Sequence, residues 1–163
     1  MINIDPPSSS LALEAVSTLS SSGLARFLNR ARAAVGLAGN VEVLLTSDGE
    51  LKRLNRTFRG KNKATDVLSF PAPVEFGAET AGDLAISLDT AARQAEEHGH
   101  TLRDEVRILL LHGLLHLNGE DHETDNGEMA QREADLRREL RLATGLIARS
   151  GAAAQTRRPR APR

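Results

Sequence analysis

The chain has 163 residues, a length that suits one domain with a sizeable core. It has no cysteine, which excludes disulfide bonds, cysteine-ligated iron–sulfur clusters and thiolate metal sites. Its net charge of −1 excludes a uniformly basic surface for nucleic acid but leaves a locally basic surface open. No segment approaches the ~20 apolar residues of a membrane span, and residues 1–7 lack the features of a signal peptide. We therefore expect a cytoplasmic protein without a membrane partner.

The first half of the chain predicts two strands and two helices. Hydrophobic periodicity and end signals set their limits. Gly36 ends the first helix, and a capping box at Ser47–Glu50 opens the second. Residues 11–22 fit neither a helix nor a strand well, because they contain a serine cluster. The predicted order is an edge strand at 1–5, a loop at 6–10, a helix at 24–35, a strand at 41–45 and a helix from 47.

The second half predicts two more strands and three more helices. The predicted order is strands at 67–70 and 83–87 around a loop at 71–81, then helices at 89–98, 101–117 and 126–143. The helix at 101–117 is apolar on nearly all sides and should be buried. These elements predict an α+β domain over residues 1–148, with a small mixed β-sheet packed against about five helices. Residues 149–163 hold five arginines and no acid, and we expect a disordered tail.

Three histidines form the most informative motif of the sequence. His112 and His116 are four residues apart, so a helix presents both on one face. Gly119 can end that helix and allow His122 to return to the same point. Three imidazoles with an open fourth position predict one catalytic zinc ion per chain at the end of the buried helix. Nickel, copper and iron stay open on ligand type. Asp121 either orients a ligand or faces solvent in a turn.

The same histidine spacing occurs in metzincin proteases, where a glutamate follows the first histidine as general base. Gly113 occupies that position here, and a glycine cannot accept a proton. The spacing is therefore metzincin-like, but the peptidase mechanism lacks its base. Hydrolysis of a phosphodiester fits better, because a metal and an arginine can share the negative charge that develops on phosphorus.

A basic segment supplies arginines for such a reaction. Between residues 52 and 63 the chain has six cations and no acid, namely Lys52, Arg53, Arg56, Arg59, Lys61 and Lys63. This segment is either an ordinary solvated helix face or a surface that follows a phosphate backbone, and the sequence leaves both interpretations open. The chain has no Trp or Tyr and four Phe, so recognition should depend on phosphate and shape more than on base stacking.

Three blocks of the sequence, one of them in two parts, resemble the YbeY endoribonucleases, the rRNA maturation factors of bacteria. Residues 112–122 resemble the signature H-G-x-L-H-L-x-G-[YF]-D-H. Residues 54–60 and 65–71 resemble L-N-x-x-[YF]-R and T-D-V-L-S-F-P, and residues 82–87 resemble G-D-[IL]-x-I-S. The resemblance covers about residues 41–143 in the right order. Glu120 departs from it, because the family usually has an aromatic residue there.

The resemblance implies a compact α+β fold with one zinc ion held by His112, His116 and His122. It also implies a single-strand-specific endoribonuclease that acts in rRNA processing, notably at the 3′ end of the small-subunit rRNA, and in ribosome quality control. The important arginine of the family corresponds to Arg59. The implied partners are rRNA and the small ribosomal subunit, with ribosomal proteins or an assembly GTPase as further candidates.

We expect Arg59 to stabilise the transition state, and Asp83 or Asp121 to support the metal ligands or to accept a proton. The predicted ligands for flanking phosphates are Arg56, Lys61 and Lys63. Two other functions stay open at this point. One is a zinc peptidase, which Gly113 opposes. The other is a non-catalytic ribosome-assembly protein in which zinc only holds the end of the helix in place.

Overall fold

The computed structural model describes residues 1–73, 75, 79–120 and 125–142, which form four strands and six helices. The strands are β1 (Ile2–Ile4), β2 (Asn40–Thr46), β3 (Val67–Pro71) and β4 (Thr80–Ser87). The helices are α1 (Ser10–Val16), α2 (Ser21–Val35), α3 (Asp48–Arg59), α4 (Leu88–His98), α5 (Leu102–Leu117) and α6 (Glu128–Glu139). Of the helices in these ranges, none has the length and apolar character to cross a membrane.

The four strands form one mixed sheet in the order β1-β2-β4-β3. β1, β2 and β4 are parallel, while β3 pairs antiparallel with β4. Both β1 and β3 are therefore edge strands, which confirms the predicted edge strand at the start of the chain and the mixed character of the sheet. The register places Leu84 of β4 opposite Val43 of β2 and Ser69 of β3.

Short polar side chains begin most of the helices. The Ser47 hydroxyl accepts the N–H of Glu50 at the start of α3, and Thr101 accepts that of Asp104 at the start of α5, as the sequence predicted. Residues 11–22 gave no clear prediction, but Ser9 caps a short helix there by accepting the N–H of Ala12. This helix, α1, raises the number of helices from the five predicted to six.

The two faces of the sheet carry different helices. Side chains alternate along β4, so Leu84 points toward α5 and Ala85 points toward α3. Nearly all residues of α5 from Val106 onward are buried, as predicted, and α2, α4 and α6 pack around this helix. α3 covers part of the opposite face through a small cluster that includes Leu51. One face is therefore closed and the other is partly open.

Three predicted boundaries differ from the structure by three residues or more. α2 begins at Ser21 instead of residue 24. β4 begins at Thr80 instead of residue 83, because the N–H of Ala72 donates to the Ala81 carbonyl (3.0 Å) and extends the ladder. The last helix, α6, ends at Glu139, which is earlier than the predicted end at residue 143. Residue 143 and the predicted tail at 149–163 lie outside the described residues, as do residues 74, 76–78 and 121–124.

Candidate metal centre and basic edge

Two of the three predicted metal ligands lie side by side on α5. His112 and His116 are one turn apart, and their Nε2 atoms are 3.2 Å from each other. His112 is 3% exposed and His116 is half-buried, so one ring is enclosed and the other reaches toward the surface. The spacing of four residues predicted this convergence, and the structure confirms it. His122 and Asp121 fall outside the described residues.

The distance between the two nitrogens suits a shared metal ion. Zinc–nitrogen bonds are about 2.0–2.1 Å long, and a tetrahedral angle between two of them separates the nitrogens by about 3.3 Å. The 3.2 Å separation of the Nε2 atoms of His112 and His116 is therefore compatible with two ligands of one ion. Among the described residues there is no group of three or more His, Asp or Glu side chains that could hold a metal.

A buried glutamate that the sequence analysis missed orients the first histidine. Oε2 of Glu133 lies 3.0 Å from Nδ1 of His112, and the two side chains are 2% and 3% exposed. When Nδ1 carries the proton and donates it to Glu133, Nε2 keeps its lone pair for a metal. A signal was present in the sequence, because Glu133 lies between Met129 and Leu136 on the inward stripe of α6. A carboxylate on an apolar stripe requires a buried partner.

Asp66 is a second buried carboxyl. It belongs to the segment 65–71 that resembles the family, and the sequence alone predicts no role for it. It is 3% exposed and lies just before β3. Its Oδ1 accepts the N–H of Val67 (2.9 Å), and its Oδ2 accepts the side-chain amide of Gln94 (3.3 Å). Burial raises the pKa of Asp66, while the Gln94 hydrogen bond and the nearby charge of His112 act in the opposite direction. The net shift of the Asp66 pKa is upward, so burial outweighs these opposing effects.

Close packing explains why position 113 is a glycine, the residue that leaves the peptidase mechanism without its base. A Cβ at this position would meet Cδ2 of Leu84 at 2.8 Å and Cγ2 of Val67 at 3.4 Å. α5 therefore approaches the sheet more closely than a residue with a side chain allows. A glutamate in place of Gly113 would point into the sheet, which gives a structural reason for the missing base.

Arg59 lies at the outer edge of the sheet. Its Nη2 donates to the Ser69 carbonyl (2.7 Å), and its guanidinium lies 5.9 Å from the ring centre of Phe70. Asp66 and Ala72 make ladder bonds with β4, so the intervening Ser69 carbonyl points to the open side of β3. The Ser69 hydroxyl donates to the Gly113 carbonyl on the other side of the strand (3.4 Å). One residue of β3 thus contacts both Arg59 and the histidine-bearing helix.

The other predicted phosphate ligands lie within four positions of Arg59 in the chain, near the end of α3. We use the term basic edge for Arg56, Arg59, Lys61 and Lys63, all of which are exposed. The buried Asn55 holds the loop that follows α3, because its amide donates to the Lys63 carbonyl (2.9 Å). Arg53, although in the same basic segment, forms a two-pronged ion pair with Glu50 and is compensated. The basic edge therefore includes the end of the predicted segment but not Arg53.

The structure does not bring Asp83 to the histidines. Asp83 is exposed on the face of the sheet that carries α3, opposite Glu42 of β2 and Phe70 of β3. Partial burial raises its pKa, and the like charge of Glu42 adds to the shift. Side-chain alternation explains the mistake: Leu84 points to the histidine-bearing helix, so its neighbour Asp83 points away.

Glu120, the residue that departs from the family pattern, is partly neutralised. Its Oε2 lies 3.2 Å from Nη1 of Arg132 on α6 and also accepts the Asn118 amide (3.3 Å). The negative charge that the sequence places next to the histidine motif is therefore held in an ion pair.

Comparison with known proteins agrees with this geometry. A profile of the endoribonuclease YbeY family matches residues 6–141. A relative from Koribacter versatilis, described as endoribonuclease YbeY, is 55% identical over 132 residues, which are 81% of this chain and 85% of the relative. A relative from Solibacter usitatus with the same description is 50% identical over 83% of this chain and 89% of the relative.

A solved structure supports the fold independently. The solution structure of a protein from Thermotoga maritima superimposes with a TM-score of 0.53 at 26% sequence identity, and the match covers 98% of both chains. Together with the family profile, these matches show that the chain belongs to the endoribonuclease YbeY family, a class of RNA-cleaving hydrolases. The resemblance noted in three blocks of the sequence is confirmed.

Proposed function

We propose that this protein is a metal-dependent endoribonuclease that cuts single-stranded RNA and acts in rRNA processing. The observation that carries the proposal is the position of Ser69 between two functional groups. Its carbonyl binds Arg59, and its hydroxyl contacts Gly113, the residue that follows His112. β3 thus contacts the Arg59 guanidinium and, through Gly113, the helix that carries His112 and His116. This arrangement supports our proposal, because a guanidinium and a metal held by imidazoles are a combination suited to phosphodiester hydrolysis.

The metal would be held by His112, His116 and His122, and zinc is the first choice for an all-imidazole ligand set. The two described Nε2 atoms fit such an ion by their 3.2 Å separation. When bound, the ion would supply Lewis-acid activation at the phosphate. Glu133 would hold the Nδ1 proton of His112, so that the ring keeps the tautomer and orientation that binding needs.

Arg59 of the basic edge has the chemistry to bind phosphate oxygens. A guanidinium has five N–H donors, and the described hydrogen bond to Ser69 uses one nitrogen of Arg59. We infer that the remaining donors bind the scissile phosphate and stabilise the charge that builds up in the transition state. Arg56, Lys61 and Lys63 would hold phosphates on either side through charge.

A preference for unpaired RNA is consistent with the open face of the sheet. Phe58 is 65% exposed and packs edge-on against Phe70, with ring centres 5.6 Å apart. The Phe70 ring lies next to the Arg59 guanidinium, so a base that is not stacked in a duplex could reach an apolar surface beside the bound phosphate. Four Phe and no Trp or Tyr predict little base stacking, but the fold brings two of the four Phe together.

In the cell, we propose that the substrate is rRNA of the small ribosomal subunit, including its 3′ end, and that the reaction takes place in the cytoplasm. Ribosomal proteins or an assembly GTPase would be the partners that deliver this substrate. A contribution to ribosome quality control follows from the same activity. These finer proposals rest on the family resemblance, while the exposed cations of the basic edge support a ligand with phosphate groups.

Metal analysis combined with RNA cleavage tests the proposal. The full-length protein should contain about one zinc ion per chain, cut a single-stranded RNA, and leave a duplex of the same sequence intact. A chelator should abolish cleavage, and added zinc should restore it. Cleavage of casein but not RNA would favour the peptidase. If a folded, metal-free variant supports rRNA processing in cells, the non-catalytic assembly function would replace our proposal.

A further inference from the structure

A second cluster of arginines lies away from the basic edge, on the surface between α2 and α5. A cleft of about 670 Å³ is present here. All of its charged lining residues are arginines: Arg26 and Arg30 from α2, and Arg103 and Arg107 from α5. In each helix the two arginines are four residues apart, so both pairs face the cleft from one side of their helix. We call this cluster the arginine cleft.

The arginine cleft concentrates positive charge that is only partly compensated. Within the described residues, Asp104 is the carboxylate that pairs with the cleft, at 3.7 Å from Arg107 and 3.9 Å from Arg103. Burial lowers the pKa of Arg107, and the positive charges of Arg103 and Arg30 lower it further, whereas Asp104 raises it. Four guanidinium groups around one small volume repel each other, and an anion in the cleft would relieve this repulsion.

The cleft is also built from parts that hold its arginines in place. The guanidinium of Arg107 lies 4.6 Å from the ring centre of the buried Phe27, and that of Arg30 lies 5.7 Å from the same ring. The side chain of Arg107 is 17% exposed, so its position is fixed by packing. α2 begins at the cleft, where its N-cap Ser20 lies in the lining and the helix presents its positive end.

We propose that the arginine cleft binds a backbone phosphate of the RNA substrate, at a nucleotide remote from the cut. This inference rests on the proposed function, since it takes RNA as the ligand. Arg103 and His116 are thirteen residues apart on α5, which corresponds to about 20 Å along the helix axis. A phosphate in the cleft would therefore belong to a flanking segment and would anchor and orient the RNA. Arginine suits this purpose because its planar fork binds phosphate through two hydrogen bonds.

The test compares two double variants of the full-length protein. Arg30→Gln with Arg103→Gln removes two exposed charges from the cleft and leaves the packed Arg107 in place. Arg138→Gln with Arg141→Gln removes the same charge from the end of α6 and serves as the control. Binding of a labelled single-stranded 2′-O-methyl oligoribonucleotide is measured by fluorescence anisotropy at several salt concentrations. Circular dichroism melts establish that both variants are folded.

The cleft variant should bind RNA more weakly than the wild type, and its salt dependence should be shallower. Each phosphate contact on a single strand contributes about 0.7 to the slope of log K against log salt, so the loss of the one phosphate bound in the cleft should reduce the slope by about 0.7. The control variant should keep the wild-type slope.

Equal slopes and affinities for the cleft variant and the control would overturn the inference. So would an effect of the cleft variant on phosphatidylglycerol vesicles alone, since the anion site would then serve a membrane surface. If the wild type binds and cuts RNA while the cleft variant behaves like the control, the proposed function stands and only this inference fails. If the wild type neither binds nor cuts RNA, both fail.

Discussion

The two faces of the sheet position charged groups in opposite ways. On the closed face, His112 and Glu133 are almost fully buried and fix each other through one hydrogen bond. On the open side, the cations of the basic edge are exposed, and Arg59 keeps donors available beyond its bond to Ser69. We therefore expect a substitution on the closed face to change both function and stability. A substitution in the basic edge should change function and leave stability nearly unaltered. Four predictions test this difference.

The largest effect is expected on the closed face, for His112→Ala. This change removes a metal ligand and also the partner of the buried Glu133 carboxylate. Metal content and RNA cleavage should be lost, and the free energy of unfolding should fall by about 3 kcal/mol, as for other broken buried pairs. Metal analysis, a cleavage assay and urea unfolding measure the three quantities.

His116→Ala is the matched control for that change, because it removes a ligand and leaves the contact between His112 and Glu133 in place. It should lose metal as well, with a clearly smaller loss of stability. Equal losses of stability for the two variants would show that Glu133 does not contribute in the way we describe.

On the open side, Arg59→Ala should reduce kcat about 100-fold, the usual cost of a lost transition-state donor. Metal content and the unfolding midpoint should stay close to those of the wild type, because Arg59 is exposed. Arg59→Lys keeps the charge but lacks the planar fork, so it should recover only part of the rate. An undiminished kcat in Arg59→Ala would remove this residue from the mechanism.

Two glycines allow a comparison of packing on the two sides. Gly113→Ala places a methyl group 2.8 Å from the Leu84 side chain and should cost about 2 kcal/mol of unfolding free energy. Gly49→Ala in α3 meets its nearest atom at 3.8 Å and should instead stabilise the helix by up to about 1 kcal/mol. Thermal unfolding of both variants should show changes of opposite sign. Changes of the same sign would mean that the close approach of α5 to the sheet is not rigid.

The smallest effect concerns Asp89, a buried carboxylate that helps to hold α1 and α3 in place. Its oxygens accept the N–H groups of Ser8 (2.9 Å), Ser9 (2.8 Å) and Asp48 (2.8 Å). Burial acts to raise the pKa of Asp89, but these hydrogen bonds outweigh burial, and the pKa lies below its usual value. Asp89→Asn should therefore cost about 1 kcal/mol at neutral pH.

The pH dependence of that cost has a definite sign. A carboxyl whose pKa is lower in the folded state stabilises the fold above its unfolded pKa of about 3.9. The stabilisation is lost as pH falls through the folded pKa. The difference in unfolding free energy between wild type and Asp89→Asn should thus be constant near neutral pH and shrink below about pH 3.9. A difference that persists unchanged in acid would assign the cost to shape instead of charge.

Much of the fold was predictable because local signals and tertiary packing agree. Ser47 and Thr101 mark helix starts by side-chain caps that depend only on neighbouring residues. The pairing of His112 with His116 follows from helical spacing alone. By contrast, α1 was left open, since its serines are favourable at a cap and unfavourable inside a helix.

The parts of the site that sequence reasoning missed depend on contacts between distant elements. Glu133 contacts a histidine 21 positions away, on a different helix. The contact of Arg59 with Ser69 depends on β3 being an edge strand, which the order of strands decides. Asp83 is the opposite case, a residue predicted to support the site that lies elsewhere. Side-chain alternation along β4 points it to the face of the sheet away from the histidines.

The position of Arg59 has a consequence for self-association. β3 is an edge strand, and an exposed edge carbonyl invites the strand of another molecule to pair with it. By binding the Ser69 carbonyl, Arg59 blocks such pairing at the middle of the strand. We therefore expect the side chain that we propose to bind substrate also to disfavour edge-to-edge pairing between copies, and it can do both at once because its bond to Ser69 uses one nitrogen.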